Sequence, residues 1–283
     1  MKVRFSIHRR LILTFSLLML VTISILGVTA ITLVKRTMIE NVHNQLIETA
    51  ENTAKIIDER VTSYTTTLMT IARHQALRED IPYTEKAAFL KKELSFDAEW
   101  DTFGICDKAG NAWLTDGSKH NVADRQYFQS ALNGKPFITE PMISRVTNTL
   151  FVFFSVPIYD DNKNIIGVLY ARKDAVGLSD MISDIAVGQT GYCYIIGLSG
   201  TTIGDSDIAA VKTQENSIEK AKTNAAFAGI AGFEQQALQS DQANVGYFHW
   251  EDEDQIAAFG VIAYTGWRVI LYAPVHEFLG IIY

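Results

Sequence analysis

The sequence predicts an α+β chain in which one long N-terminal helix carries two tandem antiparallel-sheet modules, preceded by a transmembrane helix. Three observations predict it. An uncharged apolar run spans Leu11 to Val34; the stretch from about Lys35 to Ala76 holds neither Gly nor Pro; and the strand-rich remainder runs twice through one order of elements.

At ~1.5 Å per residue the apolar run is long enough to cross a ~30 Å hydrocarbon core. Lys2, Arg4, Arg9 and Arg10 precede it, and only Lys35 and Arg36 follow before a long polar stretch. The positive-inside rule then puts residues 1–10 in the cytoplasm, residues 11–34 in the inner or plasma membrane and everything after about residue 35 outside. The rival reading is a cleaved signal peptide with Val28-Thr29-Ala30 as a small-x-small site, but the run exceeds the ~7–15 residues of a usual signal core. Both readings export the rest of the chain.

About 245 residues remain outside, enough for one large or two small domains with real cores. A net charge of −7 argues against nucleic acid as a partner. Cys106 and Cys193 sit in separate apolar runs without metal or redox spacing and read as buried free thiols. His8, His43, His74, His120, His249 and His276 show no ligand spacing, and Glu251-Asp252-Glu253-Asp254 reads as a solvated hairpin tip. Neither a metal nor a cofactor is expected. The chain has no Gly-x-Ser-x-Gly elbow and no Gly-rich phosphate loop, and it is read as a non-enzyme.

The elements follow in order. Ala50, Ala54, Ile57, Val61, Tyr64, Leu68 and Ile71 alternate four and three apart and make one apolar seam, facing the chain's own domain or a partner helix. Arg78 to Pro82 breaks the helix, and Thr84 to Leu94 reads as a second one. Thr102 to Cys106 and Asn111 to Thr115 form a hairpin around Asp107-Lys108-Ala109-Gly110. Asp124 to Asn133 is helical, with Gly134 at its C-cap. Ile138 to Ile143, Thr149 to Ile158 and Ile165 to Arg172 read as strands. The order then recurs: a hairpin from Tyr192 to Ile203, helix or loop from Ile208 to Ser240, and strands Val245 to Trp250, Gln255 to Ala263 and Trp267 to Ala273. Each module is a sheet with helices packed on it.

Asp124-Arg125-Gln126-Tyr127-Phe128, Val156-Pro157-Ile158 and Gly167-Val168-Leu169 resemble the membrane-distal half of a double Cache domain. Val187-Gly188-Gln189-Thr190-Gly191-Tyr192-Cys193-Tyr194-Ile195 and Gly266-Trp267-Arg268-Val269 resemble its membrane-proximal half. The resemblance covers roughly Lys35 to Leu279. It implies two PAS-like modules forming the sensory ectodomain of a bacterial transmembrane receptor, most often a methyl-accepting chemotaxis protein, otherwise a diguanylate cyclase or histidine kinase. It also implies a long signalling helix at 35–78, a ligand-binding distal module at 79–185 and a proximal module at 186–279. From 280 to 283 the start of a second membrane helix is expected, and a homodimer through the long helix.

In amino-acid-binding members the distal helix carries Arg-x-Trp-Tyr, and an Asp stands five residues after the glycine of the last strand. Here Arg125 matches the Arg, Tyr127 and Phe128 replace Trp and Tyr, and Arg172 stands where the Asp would be. An ammonium beside Arg172 would be repelled, so the expected ligand is anionic or acceptor-rich. The expected ligand-binding set is Arg125, Tyr127, Phe128, Met142, Ser144, Phe153, Tyr170 and Arg172. Arg145 could converge with them but reads as a surface or ion-paired residue. An anchored extracytoplasmic enzyme and a stalk protein are the competing classes.

Overall fold

A computed structural model describes residues 7–96, 99–144 and 149–280. Helix α1 (Ile7–Ala72) runs unbroken for 66 residues, ~100 Å, so the apolar run and the Gly- and Pro-free stretch are one rod. Its large apolar side chains from Leu11 to Val34 are exposed, and this part is long and apolar enough to cross a membrane. The hydroxyls of Thr14, Thr22, Ser24, Thr29 and Thr32 donate to carbonyls three or four residues back. Such back-bonding satisfies these hydroxyls within the helix.

Further along, Ala50, Ala54, Ile57, Val61 and Leu68 are buried and Tyr64 and Ile71 partly so, all against the chain's own sheets. The seam is consumed internally, so a partner helix has to meet another face of α1. The helix ends at Ala72, and His74 caps the short α2 (Gln75–Arg78) by accepting from the Ala76 N–H at 3.2 Å. Helix α3 (Tyr83–Leu94) follows Pro82.

The first sheet comprises β1 (Thr102–Cys106), β2 (Asn111–Leu114), β3 (Lys119–Asn121), β4 (Phe137–Ile138), β5 (Met142–Ile143), β6 (Leu150–Tyr159) and β7 (Ile165–Asp174), with α4 (Gln126–Leu132) between β3 and β4. It is antiparallel in the order β3-β2-β1-β7-β6-β4, with β5 also on β6. Two readings of the sequence are corrected here. The polar strand β3 carries no apolar alternation and escaped notice. The expected strand Ile138 to Ile143 is split in two at Thr139-Glu140-Pro141, because Pro141 has no N–H to give a ladder and Glu140 turns away.

Helix α5 (Val176–Asp180) leads to the second sheet, β8 (Tyr192–Ile196), β9 (Thr202–Asp205), β10 (Asn244–Trp250), β11 (Glu253–Val261) and β12 (Arg268–Pro274), in the order β10-β11-β12-β8-β9. The stretch 208–240 resolves into α6 (Ile208–Lys212), α7 (Ser217–Ala221), a 3-10 turn Ala225–Phe227 and α8 (Ala228–Gln239). Asp207, Asn216 and Asn224 cap the first three by accepting backbone N–H groups. Helix α9 (Val275–Leu279) closes the described chain, and the expected segment beyond residue 280 lies outside the described residues.

Both sheets turn one face to α1, where Phe103, Phe154 and Leu169 of the first join Ile195, Ile256 and Leu271 of the second in one core. The close approach depends on Gly260 of β11, whose added Cβ would lie 2.3 Å from the Ala50 carbonyl. The opposite faces carry two smaller clusters, one under α4 and one under α8. Cys106 and Cys193 are buried and unbridged.

Candidate functional site

Alternation along β7 puts Val168, Tyr170 and Arg172 on the face turned away from α1. Pairing sets Phe153 of β6 opposite Arg172 and Ser155 opposite Tyr170. Helix α4 is pinned over this face where the Ser155 hydroxyl donates to the Tyr127 carbonyl at 2.7 Å. Tyr127 stacks on Phe153 at 5.0 Å with an interplanar angle of 3°, and Tyr170 lies 5.3 Å from Tyr127. Opposite Tyr170 on β1 stands Gly104, where a Cβ would come within 2.2 Å of the Tyr170 ring. Only glycine lets that ring lie across the strand.

Between α4, β3, β5 and the sheet is a cavity of about 180 Å³. Seven of the expected residues border it: Arg125, Tyr127, Met142, Ser144, Phe153, Tyr170 and Arg172. Phe128 does not; one position past Tyr127 on the helix it turns into the core beneath α4 and is 2% exposed. Arg145 lies outside the described residues. Leu114, His120, Asn121 and Val122 also border the cavity and were not foreseen, since β3 and the turn after it gave no pattern to read.

The two arginines differ. Arg125 is half-buried at the N-cap of α4, and among the described residues its guanidinium has no hydrogen-bond or ion-pair partner. Arg172 is nearly buried, donates from Nε to Asp101 Oδ2 and has Nη2 3.8 Å from Asp116 Oδ2. Its guanidinium also rests 4.7 Å over the Phe151 ring. Burial pushes the Asp116 carboxyl up, but hydrogen bonds from Ser118 and the Arg172 charge outweigh it and hold the group below its ordinary value. One guanidinium therefore faces two carboxylates. The expected repulsion of an ammonium by Arg172 is corrected on that ground, and Arg125 is left as the open cation of the cavity.

His120 Nε2 lies 3.0 Å from the Ser118 hydroxyl, which itself donates to Asp116. The carboxylate here bonds the serine, not the histidine's second nitrogen, so the group lacks the order of a catalytic triad.

A larger groove of about 860 Å³ lies between the modules. Of its charged groups, Glu140 is engaged by the Leu198 N–H at 2.7 Å, leaving Lys135. Its other polar side chains, among them Thr62, Thr65, Thr66, Gln126, Thr139, Ser199, Tyr264 and Thr265, are neutral. It shares Tyr127 and Met142 with the small cavity, so the two are separated by one wall.

A family model described as Cache domain matches residues 32–282. No curated protein matches the sequence. Among solved structures, the ligand-binding domain of the Pseudomonas fluorescens chemoreceptor CtaA in complex with L-isoleucine is 16% identical, with a TM-score of 0.68 over 88% of this chain and 98% of that one. The Campylobacter jejuni chemoreceptor Tlp3 domain with L-norvaline is 12% identical, with a TM-score of 0.66 over 87% and 96%. The extracellular domain of mmHK1S-Z3, described as a histidine kinase, is 14% identical, with a TM-score of 0.65 over 84% and 96%. At these identities the likeness is one of fold. The chain belongs to the Cache domain family, in its double form with two sheets on one helix.

Proposed function

We propose that this chain is the extracytoplasmic sensor of a bacterial transmembrane receptor of chemoreceptor type, and that its distal module binds a small anionic or acceptor-rich molecule at Arg125. One observation carries the reading: a half-buried guanidinium without a partner among the described residues stands at the edge of an aromatic-walled cavity. A planar fork of donors suits a carboxylate or phosphate, and the stacked rings supply apolar contact. About 180 Å³ is below the ~300–1,000 Å³ of drug-sized sites, so the ligand is metabolite-sized.

Continuity of α1 supports the membrane part of the reading. The helix that carries the exposed apolar run is the same one that packs both sheets, so a shift of either sheet is felt along it. Binding would favour one of two arrangements of sheet and helix, passed toward the membrane in a dimer. The sensor part of a histidine kinase or diguanylate cyclase is the second reading, favoured by the mmHK1S-Z3 likeness.

Thermal shift on the full chain in non-ionic micelles tests the proposal. The panel holds mono- and dicarboxylates, phosphate esters, simple amines and aliphatic L-amino acids, which also present a carboxylate. One acceptor-bearing class should raise the melting temperature, because a ligand at ~100 Kd adds ~2.7 kcal/mol. Arg125→Ala should abolish that response. A response confined to simple amines, or one kept by the variant, overturns the assignment.

A further inference from the structure

The proximal sheet has a cavity of its own, of about 460 Å³, on the face turned away from α1 and beneath α6 to α8. It occupies the place that the distal cavity holds in its module, with a wall of opposite chemistry. Tyr192 and Tyr194 of β8 and Tyr272 of β12 share one face, since pairing sets Tyr272 opposite Tyr192, and their rings lie 5.5 to 6.3 Å apart. Trp250 meets Phe227 edge to face at 5.0 Å at the rim. Asp205, Asp207, Glu215, Glu251 and Glu253 border the space, and among the described residues no Lys, Arg or His does.

One of those carboxylates is answered from outside. Lys220 pairs with Glu215 and rests 4.9 Å over the Phe227 ring, so an ammonium already uses an aromatic face here. One buried acceptor points to a missing donor. Gln255 is 5% exposed, borders the cavity and leaves Oε1 without a hydrogen bond. Buried acceptors are rarely left unpaired, and each such case calls for an explanation.

We propose that this cavity binds a protonated organic amine, an alkyl di- or polyamine whose N–H groups reach Gln255 and Asp205 and whose charge lies against the Tyr192, Tyr272 and Trp250 rings. Ring faces and carboxylates both attract an ammonium. An anion is repelled by the wall, and an apolar molecule leaves Gln255 unpaired. The acidic side chains are spread around the space, and among the described residues no group of them is placed to hold a metal ion. An extended organic cation spans what a small ion cannot.

Spermidine and putrescine titrated into the full chain in non-ionic micelles, followed by calorimetry at about 150 mM salt to screen diffuse binding, test the proposal. Saturable binding is expected, weakened about tenfold or more by Asp205→Asn and by Trp250→Ala, and unchanged by Asp116→Asn. Trp250 stands half-buried at the rim, so its variant reads the site even if the Asp205 variant fails to fold. Heat without saturation, or binding kept by Trp250→Ala, overturns the proposal. Binding lost in Asp116→Asn places the amine in the distal cavity and overturns it too, whereas failure of the Arg125 reading leaves this site untouched.

Discussion

Arg172 and Lys173 are neighbours on β7 that face opposite sides of the distal sheet. Arg172 turns to the cavity and pairs with Asp101 and Asp116. Lys173 turns to the long helix, where it pairs with Glu99 and donates to the Tyr64 hydroxyl at 3.0 Å. Asp101 and Glu99 flank Trp100, which is wedged edge to face against Tyr64 and Phe154. One short segment thus grips both sides of the strand, and a ligand that shifts Arg172 has a route to α1.

The two arginines should separate in mutagenesis. Arg172→Ala leaves Asp101 and Asp116 without their cation and should cost about 2 kcal/mol, less than a fully buried pair because both carboxylates keep some solvent. Arg125→Ala should leave denaturant stability nearly unchanged and remove ligand binding. Equal loss of stability in both would contradict the assignment.

Gly104→Ala drives a Cβ into the Tyr170 ring, which Tyr127 and Phe153 hold in place. The expected cost is ~1–3 kcal/mol together with weaker ligand binding. A variant of unchanged melting temperature and affinity would show that the ring has room to move.

Lys173→Met keeps the side chain's length and removes its charge. Ligand affinity in the distal cavity should hold, while the ligand-dependent change at α1 should shrink. A cysteine at Ile56, exposed on the outer side of α1, reports that change as ligand-dependent crosslinking in vesicles. Undiminished change in the variant would break the proposed route.

Glu140 joins the modules by accepting the Leu198 N–H, and Gly197 leaves space for its carboxylate. Glu140→Ala should speed hydrogen exchange at the Leu198 amide without altering distal ligand affinity. Slow exchange retained there would mean that another group holds the turn.

Burial raises the Glu234 carboxyl from 4.5 to about 7, against the opposing hydrogen bonds of Tyr194 and Ser217. Below pH 4.5 folded and unfolded forms are both protonated and the group has no effect. From there to about 7 only the folded form keeps the proton, so stability falls as pH rises, by about 3 kcal/mol in total. Glu234→Gln should flatten that fall and be the more stable protein at pH 8. Parallel curves for the two proteins between pH 5 and 8 would refute it.

Legibility in the sequence followed sequence distance. The apolar run, the α1 periodicity and the strand alternation of β6 and β7 are local patterns, and local patterns set side-chain direction. Arg125, Tyr127 and Arg172 were placed by the family motif and Phe153 and Tyr170 by the strands that carry them, and seven of the eight expected residues border the cavity. Phe128 was misplaced because a motif fixes neighbours in sequence, while a helix turns consecutive residues apart. Met142 and Ser144 were readable as cavity residues even though the strand assigned to them was broken by Pro141.

By itself the sequence determined a helix-led pair of sheets of the Cache type, with aromatic and arginine side chains grouped in the first. Tertiary structure decided what their charges are for. The pairing of β1 with β7 brings Asp101 to Arg172 across 71 positions, and the polar turn before β3 adds Asp116. Coulomb energy depends on separation in space, so an arginine that looked open in sequence is satisfied in the fold, and among the described residues of the cavity Arg125 is the arginine without an ion pair. The same packing spends the α1 seam inside the chain and lines the second cavity with carboxylates drawn from strands and loops far apart in sequence.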